Sequence, residues 1–141
     1  MTAKEHLQTA YSIQKRIDRL EALRQSIRDE LYSLGSPAGN MDKDKVQTSM
    51  SGDTMLRLVA KVDEVERDII TEIERLTVAK RTILNEIERI PNENYKQLLY
   101  DRYICCLRWE KIALDRDKGV RWIYRMHGKA LNAFEKAWNS H

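Results

Sequence analysis

The chain is poor in the residues that break helices: its 141 residues hold five glycines and two prolines. Sandwiches and barrels of short strands need turn residues every ten or so positions, so this composition excludes them. The two cysteines, Cys105 and Cys106, are sequence neighbours. A bridge between neighbours strains the intervening peptide, so no disulfide framework is expected and a reducing compartment is. No stretch approaches the roughly eighteen uninterrupted apolar residues of a spanning helix. The opening MTAKEHLQTAYSIQKR lacks the continuous apolar segment of a secretory leader. A cytoplasmic protein without a membrane partner is the expectation.

Chemistry-bearing motifs are equally sparse. There is no C-x-x-C spacing and no glycine-rich phosphate loop. Of the three histidines, His6 lies on an apolar seam, His127 on the packing face of the last helix, and His141 at the end of the chain. The carboxylates alternate with bases along the long helices, as on solvated helix faces. No enzyme activity, no cofactor and no metal are expected.

What is abundant is charge, at 33%, beside 42% hydrophobic residues. That pairing is the composition of long solvated helices with a buried stripe. From Ala3 to Leu34 the positions Ala3, His6, Ala10, Ile13, Ile17, Leu20, Arg24, Ile27, Leu31 and Leu34 alternate spacings of three and four. The alternation returns in Met55, Val59, Val62, Glu66, Ile69, Ile73, Leu76, Lys80, Ile83, Ile87 and Ile90. Both are heptad seams, and they predict a long antiparallel, coiled-coil-like helical hairpin over residues 1–91. The glycine- and serine-rich stretch 35–53 predicts a flexible loop, with Gly35 ending the first helix and Ser51 or Asp53 capping the second. If the two ends meet level, Arg24 stands opposite Glu66. Leu56, Ile70 and Leu84 widen the second stripe beyond what one partner helix covers, which predicts a homodimer through the long helices or a C-terminal unit folded back on them.

Pro91 separates a final third, 92–141, which carries a net charge of +4 against +1, −1 and −1 for residues 1–34, 35–54 and 55–91. Asn92 or Asn94 is placed to cap a helix reaching Ile104. A short helix follows from Arg108 to Leu114, then the turn DRDK and a last helix from Gly119 to Trp138. A short helix, a tight turn and a basic helix form the helix-turn-helix layout that reads a major groove. On a helical wheel Val120, Met126, His127, Ala130, Phe134 and Trp138 fall within about 60° of Ile123. Lys118, Arg121, Arg125, Gly128 and Lys129 fall on the other side, between roughly 140° and 240°, with no acid among them. Gly128 permits close approach of a backbone, and the flanking Trp122 and Tyr124 suit sugars or thymine methyls. These seven residues are the candidate DNA-binding set.

The run LLYDRYICCLRWEKIA, followed by IYRMHGKAL, resembles the helix-turn-helix of the fourth conserved region of bacterial sigma factors. There an arginine-tyrosine pair precedes a W-E-x-I-A helix, and the recognition helix closes on A-L. The chain as a whole is similar to phage-encoded, sigma-like transcription regulators of the ArpU/RinA-type group, which place a charged helical region before that module. The resemblance implies a sequence-specific regulator of transcription, phage or prophage encoded, with double-stranded DNA and RNA polymerase as partners. No aromatic-rich promoter-melting segment accompanies it, so duplex binding without strand opening is expected. The chain departs from the family pattern in the turn. Arg116 and Asp117 stand where an apolar residue and a glycine are usual, and Gly119 where a serine or threonine cap is usual. Leu114 is expected to supply the apolar contact and Asp117 to adopt the left-handed conformation and cap the last helix. A DNA-packaging role, like that of a small terminase subunit, combines similar elements and predicts a large ring. A pure coiled-coil scaffold predicts no DNA affinity.

Overall fold

The computed structural model describes residues 1–35 and 45–140, the side chains of 45–51 excepted. Among them all regular structure is helical: α1 (Ala3–Gly35), α2 (Lys45–Ile87), α3 (Glu93–Leu99) running into a π turn (Tyr100–Ile104), α4 (Trp109–Asp115) and α5 (Val120–Asn139). The protein is all-α, as the seams require.

α1 opens on a capping box. Thr2 N–H donates to Glu5 Oε2 and Glu5 N–H donates to Thr2 Oγ1, both at 3.1 Å, which satisfies two otherwise orphaned donors. α2 starts earlier than the sequence suggested. Residues 45–53 are helical, so Ser51 and Asp53 lie inside α2 and not at its N-cap, and Gly35 is the last residue of α1. Gly52 is carried within the helix, where glycine costs about 1 kcal/mol relative to alanine. The rest of the expected loop, 36–44, lies outside the described residues.

Contacts divide the chain into two compact units, Lys15–Glu74 and Met1–Gln14 with Arg75–His141. The division does not fall at Pro91. The start of α1 and the last turns of α2 belong with α3–α5, because Leu7, Ala10, Ile83 and Ile87 are buried in that unit to the same degree as Leu98, Ile112 and Ile123.

In the unit Lys15–Glu74 the two helices are antiparallel. Ile27, Val65 and Ile69 form the buried centre, with Leu20, Leu31, Leu58 and Val62 packed against it. The seam of α2 runs through Val65 and Glu72, not through Glu66 and Ile73. A straight helix drifts from a strict heptad, and this drift brings a valine inward at 65. Glu66 moves to the flank, where Arg28 reaches it at 2.6 Å, so the expected partner Arg24 is not the one used. Glu72 turns inward to 5% exposure and takes Arg16 Nε at 3.1 Å. Ile73 is left 46% exposed.

Candidate nucleic-acid interface

α3 begins where the sequence placed it: Asn92 Oδ1 accepts Tyr95 N–H at 3.2 Å. Leu98 and Leu99 are its buried residues, and Tyr103 is that of the π turn. Two residues beyond the π turn that follows, Cys106 stands at φ 57°, and Leu107 N–H donates to Asp101 C=O at 3.0 Å. Neither Cys105 nor Cys106 is in a disulfide. Arg102 is held here by three contacts. Its guanidinium donates to Leu107 C=O at 2.9 Å and lies 4.4 Å from the Trp109 ring centre and 5.6 Å from that of Tyr11. Nothing in the sequence pattern singled out Arg102 for this, since Tyr11 comes from the far end of the chain.

α4 and α5 form a helix-turn-helix. The turn is a Schellman motif: Lys118 N–H donates to Ala113 C=O at 2.9 Å and Asp117 N–H to Leu114 C=O at 3.1 Å, with Asp117 at φ 55°. Asp117 therefore takes the left-handed position, as expected of it from the sequence. Two other expectations about the turn are corrected. Leu114 is 76% exposed and supplies no apolar contact. Arg116 holds the turn instead, half-buried, with its guanidinium 3.3 Å from Asp101 Oδ2. Asp117 does not cap α5 either; the N-cap is Gly119, with no side-chain hydrogen bond and no acid in the first turn.

The inner face of α5 is as the wheel gives it. Ile123, His127, Ala130 and Phe134 are buried, and Val120, Met126 and Trp138 are half-buried. His127 Nε2 is 2.8 Å from Tyr103 Oη and its ring meets Trp109 edge-on at 4.5 Å. Burial lowers its pKa from 6.5 to about 4, with the cations of Lys4 and Arg102 adding to the effect. Burial also pushes the Tyr103 hydroxyl up to about 12, so the pair is neutral near pH 7. His6, from the seam of α1, stacks on Trp138 at 4.8 Å and meets Glu86 Oε1 at 2.9 Å. Leu7, its neighbour, fills the core in its place.

The outer face collects the candidate residues. Lys118, Arg121, Tyr124, Arg125, Gly128 and Lys129 are exposed and Trp122 is half-buried. Lys118 Nζ lies 5.1 Å from the Trp122 ring centre. Tyr124, 50% exposed, rests edge-on against Trp109. Trp122, Arg125, Met126 and Lys129 line a cleft of about 140 Å³. A Cβ added at Gly128 meets nothing within 4 Å, so no contact within the chain asks for glycine there. Among the described residues no carboxylate lies within ion-pair distance of Lys118, Arg121, Arg125 or Lys129, whereas Arg16, Arg28, Arg67, Lys96, Lys111 and Arg116 all have one. No helix among the described residues is long and apolar enough to cross a membrane. No protein-family model, curated protein or solved structure matches the chain.

Proposed function

We propose that this protein is a sequence-specific regulator of transcription that binds double-stranded DNA by laying α5 in the major groove. The observation that carries the reading is the outer face of α5, where four cations stand without acids on the second helix of a helix-turn-helix. Pairing them with phosphates or base edges leaves no internal ion pair to be broken first. The N-terminus of α5 adds to this, because its uncapped N–H groups and the helix dipole favour a phosphate. Trp122 and Met126 add apolar side chains to the lining that the cleft shares with Arg125 and Lys129, which suits a sugar or a thymine methyl. The likeness to sigma-type helix-turn-helix modules points the same way and brings RNA polymerase into the reading as a second partner, and a phage or prophage as the source.

Arg121 and Arg125 are one helical turn apart and reach a common groove, so they are assigned to bases. Lys118 and Lys129 are assigned to phosphates. Binding sites selected from random duplexes, followed by anisotropy titrations, test this. Arg121→Ala or Arg125→Ala should cost about 1–3 kcal/mol on the selected site and little on random DNA. Lys118→Ala or Lys129→Ala should weaken both alike and reduce the salt slope by about 0.9. Unchanged affinities in both arginine variants on the selected site would refute the assignment.

A further inference from the structure

The cleft on the flank of α5, lined by Trp122, Arg125, Met126 and Lys129, measures about 140 Å³. That is well below the roughly 300–1,000 Å³ of a site for a whole small molecule, so it suits a substituent and not a free ligand. Its apolar lining comes from Trp122 and Met126, one helical turn apart and both half-buried. Lys118 braces Trp122, with its Nζ 5.1 Å from the ring centre. The other two lining residues are cations and no acid is among them, which favours nucleic acid over a positively charged partner. The sequence places Met126 on the packing face; the structure brings it to this cleft beside Trp122.

The direction of the cleft selects the substituent. Measured around the helix from Ile123, Arg121 and Arg125 stand at about 160° and 200°, Lys129 at about 240°, Trp122 at about 260° and Met126 at about 300°. The cleft is therefore turned from the two arginines assigned to bases towards Lys129, assigned to a phosphate. In a major groove the apolar substituent on the base edges is the C5 methyl of thymine. C5 lies on the side of the pyrimidine nearest its own strand's backbone, so a methyl there stands between the base edges and the phosphates, as the cleft does. We propose that this cleft receives the C5 methyl of a pyrimidine next to the base pair that Arg125 reads, with Lys129 on the phosphate backbone of the strand that carries it. The inference rests on the DNA-binding reading and names the base chemistry of that site. Trp122 and Met126, together with the arginines, then set the sequence preference. Met126 suits a methyl because its unbranched thioether adapts to the group it meets. A deoxyribose would fill the cleft without regard to the base, and exchanging thymine for uracil leaves it in place.

Anisotropy titrations of the full chain on the selected duplex, with each thymine in turn replaced by uracil, test it. Uracil pairs as thymine does and lacks only the methyl. Replacement of one thymine beside the guanine that Arg125 prefers should lower the affinity about fourfold, as for a methyl group returned to water. Replacement elsewhere should change it little. The same position is then filled with cytosine and with 5-methylcytosine, each opposite guanine. Tighter binding of the methylated duplex assigns the cleft to the methyl on either pyrimidine, and equal binding of the two restricts it to thymine. Met126→Ala should bring the ratio of thymine to uracil affinities near one. The uracil scan uses the wild-type chain and stands whatever that substitution does to the fold. A selected site with no methyl-sensitive position overturns the inference and leaves the DNA reading in place, with a deoxyribose as the occupant. A folded Met126→Ala variant that still discriminates fourfold overturns it as well, and a chain that binds no duplex at all overturns both readings.

Discussion

Replacing His127 with glutamine should flatten the pH dependence of stability between pH 6.5 and 4. The imidazole is 8% exposed, lies between Tyr103 and Trp109, and has its pKa lowered from 6.5 to about 4. A histidine kept neutral by the fold binds fewer protons folded than unfolded over that interval. The stability it contributes is therefore present above pH 6.5 and is lost as the pH falls towards 4. Integrating the linkage between the two pKa values gives a loss of about 1 kcal/mol between pH 6 and pH 5, out of a ceiling near 3 kcal/mol. Protonation has a chemical cost that accounts for the sign: an imidazolium donates from both nitrogens, and the Tyr103 hydroxyl then has to accept. Glutamine retains a polar group for Tyr103 and does not titrate. Urea melts at pH 7, 6 and 5, followed by tryptophan fluorescence, report on the right unit, because Trp109, Trp122 and Trp138 all lie in it. The wild-type midpoint should fall more steeply than that of His127→Gln. Parallel profiles for the two proteins would mean that the histidine titrates alike folded and unfolded, and that burial does not hold it neutral.

Asp117→Gly should stabilise the chain by about 0.5–1 kcal/mol, since glycine adopts the left-handed position without the Cβ penalty, less its own entropy; a lower thermal midpoint would show that the carboxylate does something at the turn that its conformation does not reveal. A fragment comprising residues 92–141 alone should show weak helicity and no cooperative melt, because Leu7, Ala10, Ile83 and Ile87, each no more than 1% exposed, are missing from its core. A cooperative melt of that fragment at the wild-type temperature would restore Pro91 as the boundary of a folding unit.

The heptad spacing made most of the fold legible, because a buried stripe has to recur near each turn of a helix whatever it packs on. Ala3, Ala10, Ile13, Ile17 and Ile27 are buried where the seam of α1 placed them. The errors come where the pattern is insensitive. Val65 and Glu66, or Glu72 and Ile73, lie only 100° apart on the wheel, so a small rotation of α2 exchanges them, and the partner of Glu66 changes from Arg24 to Arg28 with it. The start of α2 was missed for another reason: glycine and serine within residues 45–53 suggest a loop locally, while a 43-residue helix carries them at modest cost. The outer face of α5 was legible because it depends on one helix's own periodicity. The contacts that hold that helix were not. Arg102 between Tyr11 and Trp109, and Arg116 on Asp101, join residues distant in sequence, and no local period encodes such pairs.

α5 is fixed by the Tyr103–His127 contact, by Trp109 against His127, and by the Schellman turn with Arg116 on Asp101. None of these uses Arg121, Arg125 or Lys129. Lys118 takes part only through its backbone N–H, which survives substitution by alanine. The groups that position the helix and the outer cations proposed to meet DNA therefore occupy different faces, and their effects should separate. Loss of an outer cation changes binding at constant stability. Loss of an inner contact lowers stability, and reaches binding only through the orientation or population of folded α5. Arg116→Ala belongs to the second class although it is a basic residue in the turn, since its partner is Asp101 and not a ligand. A variant that lost DNA affinity with an unchanged melt at Arg116 would move this residue to the binding face and require a different account of the turn.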